Sequence, residues 1–155
     1  MNDEPKLFYS PVFSSDVGDL SVIDESNVLP FKMKRIFYIY NNPIGSKRGC
    51  HAHISLKQFI CCLSGKIEVF NISVNGKKTS FLLDQPNKGL YIPQKTWSYQ
   101  INLSPNSIYF VICSDFYLEK DYIKDYKEFE KLIINRWCKL NFLSKNLLTN
   151  RTQIQ

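Results

Sequence analysis

The two histidines of the chain, His51 and His53, lie one residue apart in the stretch Arg48-Gly49-Cys50-His51-Ala52-His53. Side chains alternate between the two faces of a β-strand, so an extended stretch places both imidazoles on one face, about 7 Å apart. Two imidazoles on one face can share a metal ion or act together on one substrate as acid and base. A chance pairing of two histidines on a half-exposed strand is the alternative at this point.

The residues around this stretch resemble the first half of a cupin barrel, whose pattern is Gly-x5-His-x-His-x4-Glu-x6-Gly. The matching positions are Gly45, His51, His53, Gln58 and Gly65, with Gln58 in place of the glutamate. In a weaker match to the second cupin segment, Ser98 takes the position of the last histidine ligand. An iron, manganese or zinc site would need the carboxylate and the third imidazole. We therefore expect no metal and no other cofactor, and predict that the histidines themselves do acid–base chemistry.

The elements that must position these residues are mostly strands. Aromatic and β-branched residues dominate 35–40 and 107–113, and 58–63 is a mostly apolar run that ends at the turn Ser64-Gly65. Asn75-Gly76 is a strong hairpin signal between two further strands. We predict one mainly β domain over 1–155, a cupin (jelly-roll) barrel with its core at about 18–115. Apolar residues at helical spacing predict a C-terminal helix at about 119–135, namely Tyr122, Tyr126, Phe129 and Ile133. A basic tail follows to residue 155.

Composition excludes several classes of function. The net charge is +6, but residues 132–155 supply four of those charges through Arg136, Lys139, Lys145 and Arg151, with no acid among them. A basic tail without a nucleic-acid-binding module does not indicate nucleic-acid binding. We see no secretory segment near Met1 and no apolar run long enough to cross a membrane. The five cysteines have no disulfide-framework spacing. We therefore expect a cytoplasmic protein with free thiols and no membrane or nucleic-acid partner.

The chain resembles one branch of the cupins, the 3,4-ketoisomerases that act on dTDP-4-keto-6-deoxyglucose, from about residue 18 to residue 129. Two segments carry the resemblance most specifically: Arg48-Gly-Cys-His51-Ala-His53 and Asp121-Tyr122-Ile123-Lys124-Asp-Tyr126. Further matching segments begin at Pro30, Leu56, Cys62, Leu83 and Gly89, and Trp97 also matches.

The resemblance implies a homodimeric enzyme that moves the ketone of a dTDP-linked 4-keto-6-deoxy sugar from C4 to C3, supplying deoxyamino sugars for surface polysaccharides. It implies His51 and His53 as the acid–base pair, with Tyr38 and Arg48 beside the sugar. It further implies that Arg35 and Gln58 help to hold the nucleotide diphosphate and the sugar ring. We also assign Trp97 to substrate binding, although an aromatic side chain that plugs the barrel would give the same pattern. We expect the short N-terminal strand Leu7-Phe8-Tyr9 to pair across the dimer interface.

The chain departs from this family at two positions, and two other functions stay open. The usual Asp-x-Arg-Gly-x-Leu opening reads Asp16-Val17-Gly18-Asp19-Leu20, without the arginine, and Ser98 replaces a histidine that usually follows Trp97. The first change removes a guanidinium suited to a diphosphate. The sequence does not separate a ketoisomerase from a related nucleotide-sugar epimerase or from a sugar-nucleotide-binding cupin without turnover. The configuration of the product at C4 is also open.

Overall fold

The structure, a computed structural model, describes residues 3–135. Twelve strands alternate with short connections: β1 Lys6–Tyr9, β2 Val12–Ser15, β3 Gly18–Ser21, β4 Arg35–Ile39, β5 Lys47–His53, β6 Gln58–Ser64, β7 Ile67–Ile72, β8 Lys78–Leu83, β9 Lys88–Ile92, β10 Trp97–Asn102, β11 Ile108–Cys113 and β12 Tyr122–Ile123. A 3₁₀ turn, Glu119–Asp121, precedes β12. Helix α1 occupies residues 126–135 at the end of the described chain.

Ten of the strands form two five-stranded antiparallel sheets that face each other. The first sheet has the order β1-β9-β6-β11-β4, and the second has the order β12-β5-β10-β7-β8. Buried side chains of both sheets meet in one core, for example Ile60 and Val111 from the first with Val69 and Leu83 from the second. This packing confirms the predicted mainly β barrel with a C-terminal helix.

The C-terminal helix covers one part of the second sheet's outer face. Phe129 is fully buried there against Trp97 and Ala52. The helix begins at residue 126 and not at about 119, because 119–121 form the 3₁₀ turn and Tyr122 pairs with His53 as a strand. The expected helical position of Tyr122 was therefore wrong. Strand pairing to the open edge of β5 satisfies backbone groups that would otherwise lack partners.

The N-terminal segment forms three short strands. β1 pairs on one side with β9 of the same chain, Leu7 opposite Leu90, and it is an edge strand of the first sheet, so its pairing across an interface between copies stays a prediction. The hairpin β2–β3 leaves all of its eight residues exposed, including Phe13 and Leu20. Exposed apolar side chains on an isolated hairpin indicate a contact surface.

No helix within residues 3–135 is long and apolar enough to cross a membrane. The basic tail predicted for 136–155 lies outside the described residues.

Gly89 provides a test of the packing between β9 and β6. A Cβ atom at this position would lie 2.1 Å from Cζ of Phe59 and 2.8 Å from Sγ of Cys61, and both side chains are fully buried. We expect Gly89→Ala to lower the free energy of unfolding by about 1–3 kcal/mol through overpacking. Urea denaturation measures this loss.

Shortening the clashing ring is the matched control. Phe59→Leu combined with Gly89→Ala should be destabilised by less than the sum of the two single changes, because the smaller side chain vacates the space. An unchanged stability of Gly89→Ala alone would contradict the close packing described for this position.

Candidate active site

A cavity of about 190 Å³ lies between the two sheets, and its two walls differ in chemistry. The first sheet supplies a wall that is apolar except for one amide, and the second sheet supplies a polar wall. The apolar wall consists of Phe37, Ile39, Ile60, Ile92 and Val111 with Gln58, and the polar wall consists of Arg48, Gly49, His51, Ser98, Gln100 and Tyr122. A substrate in this cavity would meet titratable groups on one side and a single amide, that of Gln58, on the other.

The polar wall depends on a β-bulge in strand β5. Arg48 and His51 are three residues apart, a spacing that would place them on opposite faces of a regular strand. Gly49 and Cys50 both have positive φ, 88° and 58°. On β10, the neighbours Ser98 and Tyr99 pair with His51 and Gly49, so Cys50 is an extra residue in β5 without a partner in this pairing. The bulge re-aims the chain so that both side chains reach the cavity. A Cβ at Gly49 would lie 2.9 Å from the carbonyl oxygen of Ser98, so this position requires glycine.

The imidazoles of His51 and His53 are in contact, as the alternation of the strand predicted. Their Nε2 atoms lie 3.2 Å apart, and the ring planes are nearly perpendicular. His51 lines the cavity, whereas His53 lies behind it and is only 5% exposed. The two histidines are therefore arranged in series from the cavity toward the interior.

Asp121 holds the inner histidine. Its Oδ2 lies 3.0 Å from Nδ1 of His53, and the carboxylate also accepts hydrogen bonds from the amide and hydroxyl of Ser55 and from the amide of Leu56. Burial tends to raise the pKa of Asp121, but the hydrogen bonds from Ser55, Leu56 and His53 outweigh burial and lower it. Because an ionised Asp121 can only accept a hydrogen bond, the proton of neutral His53 lies on Nδ1. The Nε2 atom of His53 then accepts a hydrogen bond from Nε2–H of His51.

Both histidines are neutral near pH 7. Burial lowers the pKa of His51, and burial together with the neighbouring His51 lowers the pKa of His53 to about 4. A neutral imidazole has a free lone pair and can accept a proton from carbon. The arrangement can therefore work as a base at the cavity, with His53 and Asp121 behind it to stabilise the charge that forms.

Tyr122 completes the site and was missed in the sequence. Its ring contacts both imidazoles, with centroid distances of 4.9 Å to His51 and 4.3 Å to His53. The signal for Asp121 and Tyr122 was present in the matching segment that begins at residue 121. The helical spacing of Tyr122 with Tyr126 obscured it.

Four of the predicted site residues come together at the cavity. Arg48, His51 and Gln58 line it, and His53 supports His51 from behind. Arg35 lies near them, with its guanidinium against the rings of Phe37 and Tyr117. Its Nη2 donates to Sγ of Cys113 at 3.4 Å.

Two predicted site residues lie elsewhere. Tyr38 is 67% exposed and stacks on Tyr40, because alternation along β4 turns it away from the cavity-lining Phe37 and Ile39. Trp97 packs against Tyr126 and Phe129 of helix α1 on the outer face of the second sheet. The neighbour of Trp97, Ser98, faces the cavity instead. In the described chain, neither Tyr38 nor Trp97 is in position to touch a molecule in the cavity.

The depressed pKa of His53 predicts how stability depends on pH. Between its ordinary value of 6.5 and its folded value of about 4, the unfolded chain binds a proton that the folded chain does not. The free energy of unfolding should therefore fall by up to about 3 kcal/mol as pH drops through this window, with full stability above it. Asp121, with its pKa below the ordinary 3.8, contributes only in a lower pH range.

Urea unfolding at about pH 7 and about pH 5 measures this dependence. His53→Gln should remove most of the difference between the two conditions, because it deletes the titrating group and keeps a side chain able to hydrogen-bond Asp121. If the wild type and His53→Gln lost the same stability between the two conditions, His53 would not be the buried neutral group described here.

Comparison with known proteins identifies the family. The sequence model of the family described as "FdtA: WxcM-like, C-terminal" matches residues 3–134. A curated relative, TDP-4-oxo-6-deoxy-alpha-D-glucose-3,4-oxoisomerase of Aneurinibacillus thermoaerophilus, is 35% identical over 116 residues, which is 75% of this chain and 83% of the relative.

Solved structures agree with this relationship. A 3,4-ketoisomerase from Helicobacter canadensis superposes with a TM-score of 0.79 at 32% identity, covering 85% of this chain and 98% of that protein. The sugar 3,4-ketoisomerase QdtA from Thermoanaerobacterium thermosaccharolyticum, in complex with TDP, superposes with a TM-score of 0.81 at 26% identity, covering 88% and 98%. The resemblance seen in the sequence is confirmed, and the chain belongs to the FdtA family, WxcM-like, C-terminal.

Proposed function

We propose that this chain is a 3,4-ketoisomerase that converts TDP-4-keto-6-deoxyglucose into its 3-keto isomer. The observation that carries the proposal is the series His51, His53 and Asp121, which runs inward from one wall of a cavity large enough to admit a sugar ring. The relatives support the substrate: the curated relative is named for this sugar nucleotide, and a mutant of QdtA has been solved in complex with TDP-4-keto-6-deoxyglucose.

His51 is the base in the proposed reaction, since it is the imidazole that lines the cavity. It removes the proton from C3, which the C4 carbonyl makes acidic. The electron pair of the C3–H bond forms a C3–C4 double bond, and the C4 oxygen takes up negative charge as an enediolate. The proton of the C3 hydroxyl passes to the C4 oxygen, which becomes a hydroxyl. The C3 oxygen then becomes the new ketone as C4 takes a proton from the protonated His51, a proton that can exchange with solvent. A positioned base of this kind typically contributes about 10²–10⁴ in rate.

His53 and Asp121 stabilise the charged base. When His51 gains a proton, its Nε2–H donates to the free Nε2 of His53, whose Nδ1–H donates to the carboxylate of Asp121. The positive charge of the imidazolium is thus opposed by a fixed negative charge two hydrogen bonds away. Because Asp121 is already held by Ser55 and Leu56, little reorganisation is needed during the reaction.

Arg48 and Tyr122 are the proposed donors to the enediolate oxygens, since both line the polar wall beside His51. Tyr122 takes the role first expected for Tyr38, which faces outward. Gln58 is the one polar group on the opposite wall, and we assign it to hold a ring hydroxyl. Arg35 is assigned to the diphosphate, because a guanidinium binds phosphate oxygens with two parallel hydrogen bonds.

The one-sided distribution of titratable groups favours an isomerase over an epimerase. An epimerase must return the proton to the opposite face of the same carbon, so it needs an acid on each side of the ring. Among residues 3–135, the wall facing His51 offers only the amide of Gln58 among apolar side chains. An isomerase can remove and return protons on a single face of the ring. A binding protein without turnover would have no use for the buried His53–Asp121 pair, whose desolvation is costly.

Kinetics of three variants tests the proposed roles. We expect His51→Asn to lower kcat by at least about 10² while TDP binds nearly as tightly as to the wild type, because the ring contributes little binding before the transition state. Arg35→Ala should mainly raise KM, since a phosphate contact persists throughout the reaction. Tyr38→Phe is the matched control and should change neither constant.

Conversion of TDP-4-keto-6-deoxyglucose to the 3-keto sugar, followed by ¹³C NMR, is the measurement. Wild-type turnover by His51→Asn would remove His51 from the role of base.

Metal independence is a separate prediction. Gln58 and Ser98 stand where a metal-binding cupin has a carboxylate and a third imidazole, and no three His, Cys, Asp or Glu side chains in residues 3–135 are grouped to hold a metal. Activity should survive prolonged treatment with EDTA. Stoichiometric metal in the purified protein, with activity lost on chelation and restored by the metal, would refute this prediction.

We further propose that the enzyme is a cytoplasmic homodimer whose product feeds the synthesis of deoxyamino sugars for surface polysaccharides. The exposed hairpin β2–β3 and the exposed residues Ile36 and Tyr38 of edge strand β4 support an interface between copies. Cys50, Cys61, Cys62 and Cys113 are free thiols, which suits a reducing compartment.

Light scattering should give the mass of a dimer at micromolar protein concentration. Phe13→Asp with Leu20→Asp should shift the equilibrium toward the monomer, because both side chains are exposed on the hairpin and would place charges within the interface. The matched control is Leu103→Asp, which changes an exposed leucine in the connection between β10 and β11. A monomeric wild type would overturn this prediction.

A further inference from the structure

The two walls of the cavity differ in their ability to give a proton to carbon. The wall of the second sheet carries His51 and Tyr122, with the imidazole of His53 behind it. The wall of the first sheet carries five apolar side chains and the amide of Gln58. An amide N–H donates a hydrogen bond but does not release its proton at neutral pH. A proton that a side chain of residues 3–135 gives to a bound sugar ring therefore comes from the second sheet.

Three other titratable groups of the first sheet do not change this asymmetry. Arg35, Tyr109 and Cys113 lie on strands β4 and β11, and none of them lines the cavity. Tyr109 is fully buried, and its hydroxyl accepts a hydrogen bond from Nδ2 of Asn42 at 2.6 Å. Cys113 is fully buried and accepts a hydrogen bond from Arg35, whose guanidinium stays protonated in proteins. None of the three is placed to protonate a sugar carbon.

The one-sided proton source decides the configuration of the product at C4. In the glucose configuration, the hydrogens on C3 and C4 point to opposite faces of the ring. Because His51 removes the C3 proton, the face of the ring that carries this hydrogen lies against the second sheet. The enediol is planar at C3 and C4, so the face that receives the new proton sets the configuration at C4. A proton delivered from the same wall gives the galactose configuration, in which the C4 hydroxyl is axial.

Gln58 is in position to hold the new hydroxyl. When C4 is protonated from the side of His51, the C4 oxygen moves out of the enediol plane toward the opposite wall. Gln58 is the only polar side chain that the described part of the chain places on that wall. Its Nε2 donates to Sγ of Cys113 at 3.9 Å, an orientation that leaves the carbonyl oxygen Oε1 to accept the C4 O–H. An axial C4 hydroxyl therefore finds a hydrogen-bond partner on an otherwise apolar surface.

We propose that the chain forms the 3-keto sugar with the galactose configuration at C4, and that Gln58 determines this outcome. Its neutral amide keeps the first-sheet wall without an acid and accepts the new axial hydroxyl. The reaction balances without an outside oxidant, because C3 changes from CH–OH to C=O while C4 changes from C=O to CH–OH. This inference rests on the proposed 3,4-ketoisomerase function, which by itself leaves the C4 configuration open.

Proton NMR in H₂O, recorded early in the reaction before the 3-ketone can epimerise in solution, reads the configuration directly. We expect the wild-type protein with TDP-4-keto-6-deoxyglucose to give a 3-keto sugar with a small coupling between H4 and H5, because H4 is equatorial. A large coupling, from two axial hydrogens, would indicate the glucose configuration and would overturn the proposal while leaving the ketoisomerase function intact. A sugar that stays a 4-ketone would refute the proposed function itself, and this inference with it.

Variants at Gln58 test the role of the opposite wall. Gln58→Glu places a carboxyl group there, and its apolar neighbours favour the protonated form, which can act as an acid. We expect the product to change from one epimer to a mixture of both. Gln58→Met, matched in length but without a polar group, should slow turnover and still give only the galactose configuration. The ratio of epimers does not depend on how much of a variant is folded. A single galactose-configured product from active Gln58→Glu would remove Gln58 from this role.

Discussion

The carboxylate of Asp121 is the contact on which the site depends. It accepts hydrogen bonds from the loop at Ser55 and Leu56 and from the ring of His53, so one side chain joins the chain after β11 to the turn between β5 and β6. Backbone pairing of Tyr122 with His53 reinforces the same junction. Because Asp121 is 8% exposed, its charge acts on His53 with little screening by water. The orientation and tautomer of the inner imidazole, and through it the outer one, follow from this contact.

The unequal walls of the cavity form the second constraint. A barrel interior that was apolar on both sides would pack shut, and one that was polar on both sides would lose the burial that stabilises the fold. Here the first sheet keeps apolar residues inward, and strand β10 of the second sheet turns polar residues inward and aromatic residues outward. Because β10 directs its aromatic side chains outward, the second sheet has an apolar outer surface. Helix α1 packs on that surface at Trp97. The chemistry of the cavity and the placement of the C-terminal helix are thus linked through one strand.

Sequence reasoning predicted the parts of the site that follow from strand alternation. The pairing of His51 with His53 and the mainly β barrel followed from spacing and residue type, whereas the place of Gln58 in the site followed from the match to the cupin pattern. Alternation also argues against a position for Tyr38 in the cavity. Tyr38 is three residues from Arg35, so the two side chains lie on opposite faces of a regular strand. Because Ser98 faces the cavity, its neighbour Trp97 faces the outside of the sheet.

Other features could not be predicted from local pattern. Arg48 and His51 break alternation and still share the cavity, because Gly49 and Cys50 form a bulge that depends on register with β10. Tyr122 fits the helical spacing of Tyr126 and Phe129, yet it pairs as a strand because β5 offers an open edge. The contact between Asp121 and His53 spans 68 residues of sequence, and only the closed barrel brings the two together.

Isotope exchange tests the central claim most directly. The wild-type protein, incubated in D₂O with TDP-4-keto-6-deoxyglucose, should give a 3-keto sugar that carries deuterium at C4, as read by NMR. Asp121→Asn should slow the appearance of that label while TDP still binds, because the amide cannot oppose the charge on the histidine pair. A sugar that stays a 4-ketone with an exchanged and inverted carbon, or one that shows no exchange at all, would contradict a ketoisomerase driven by His51, His53 and Asp121.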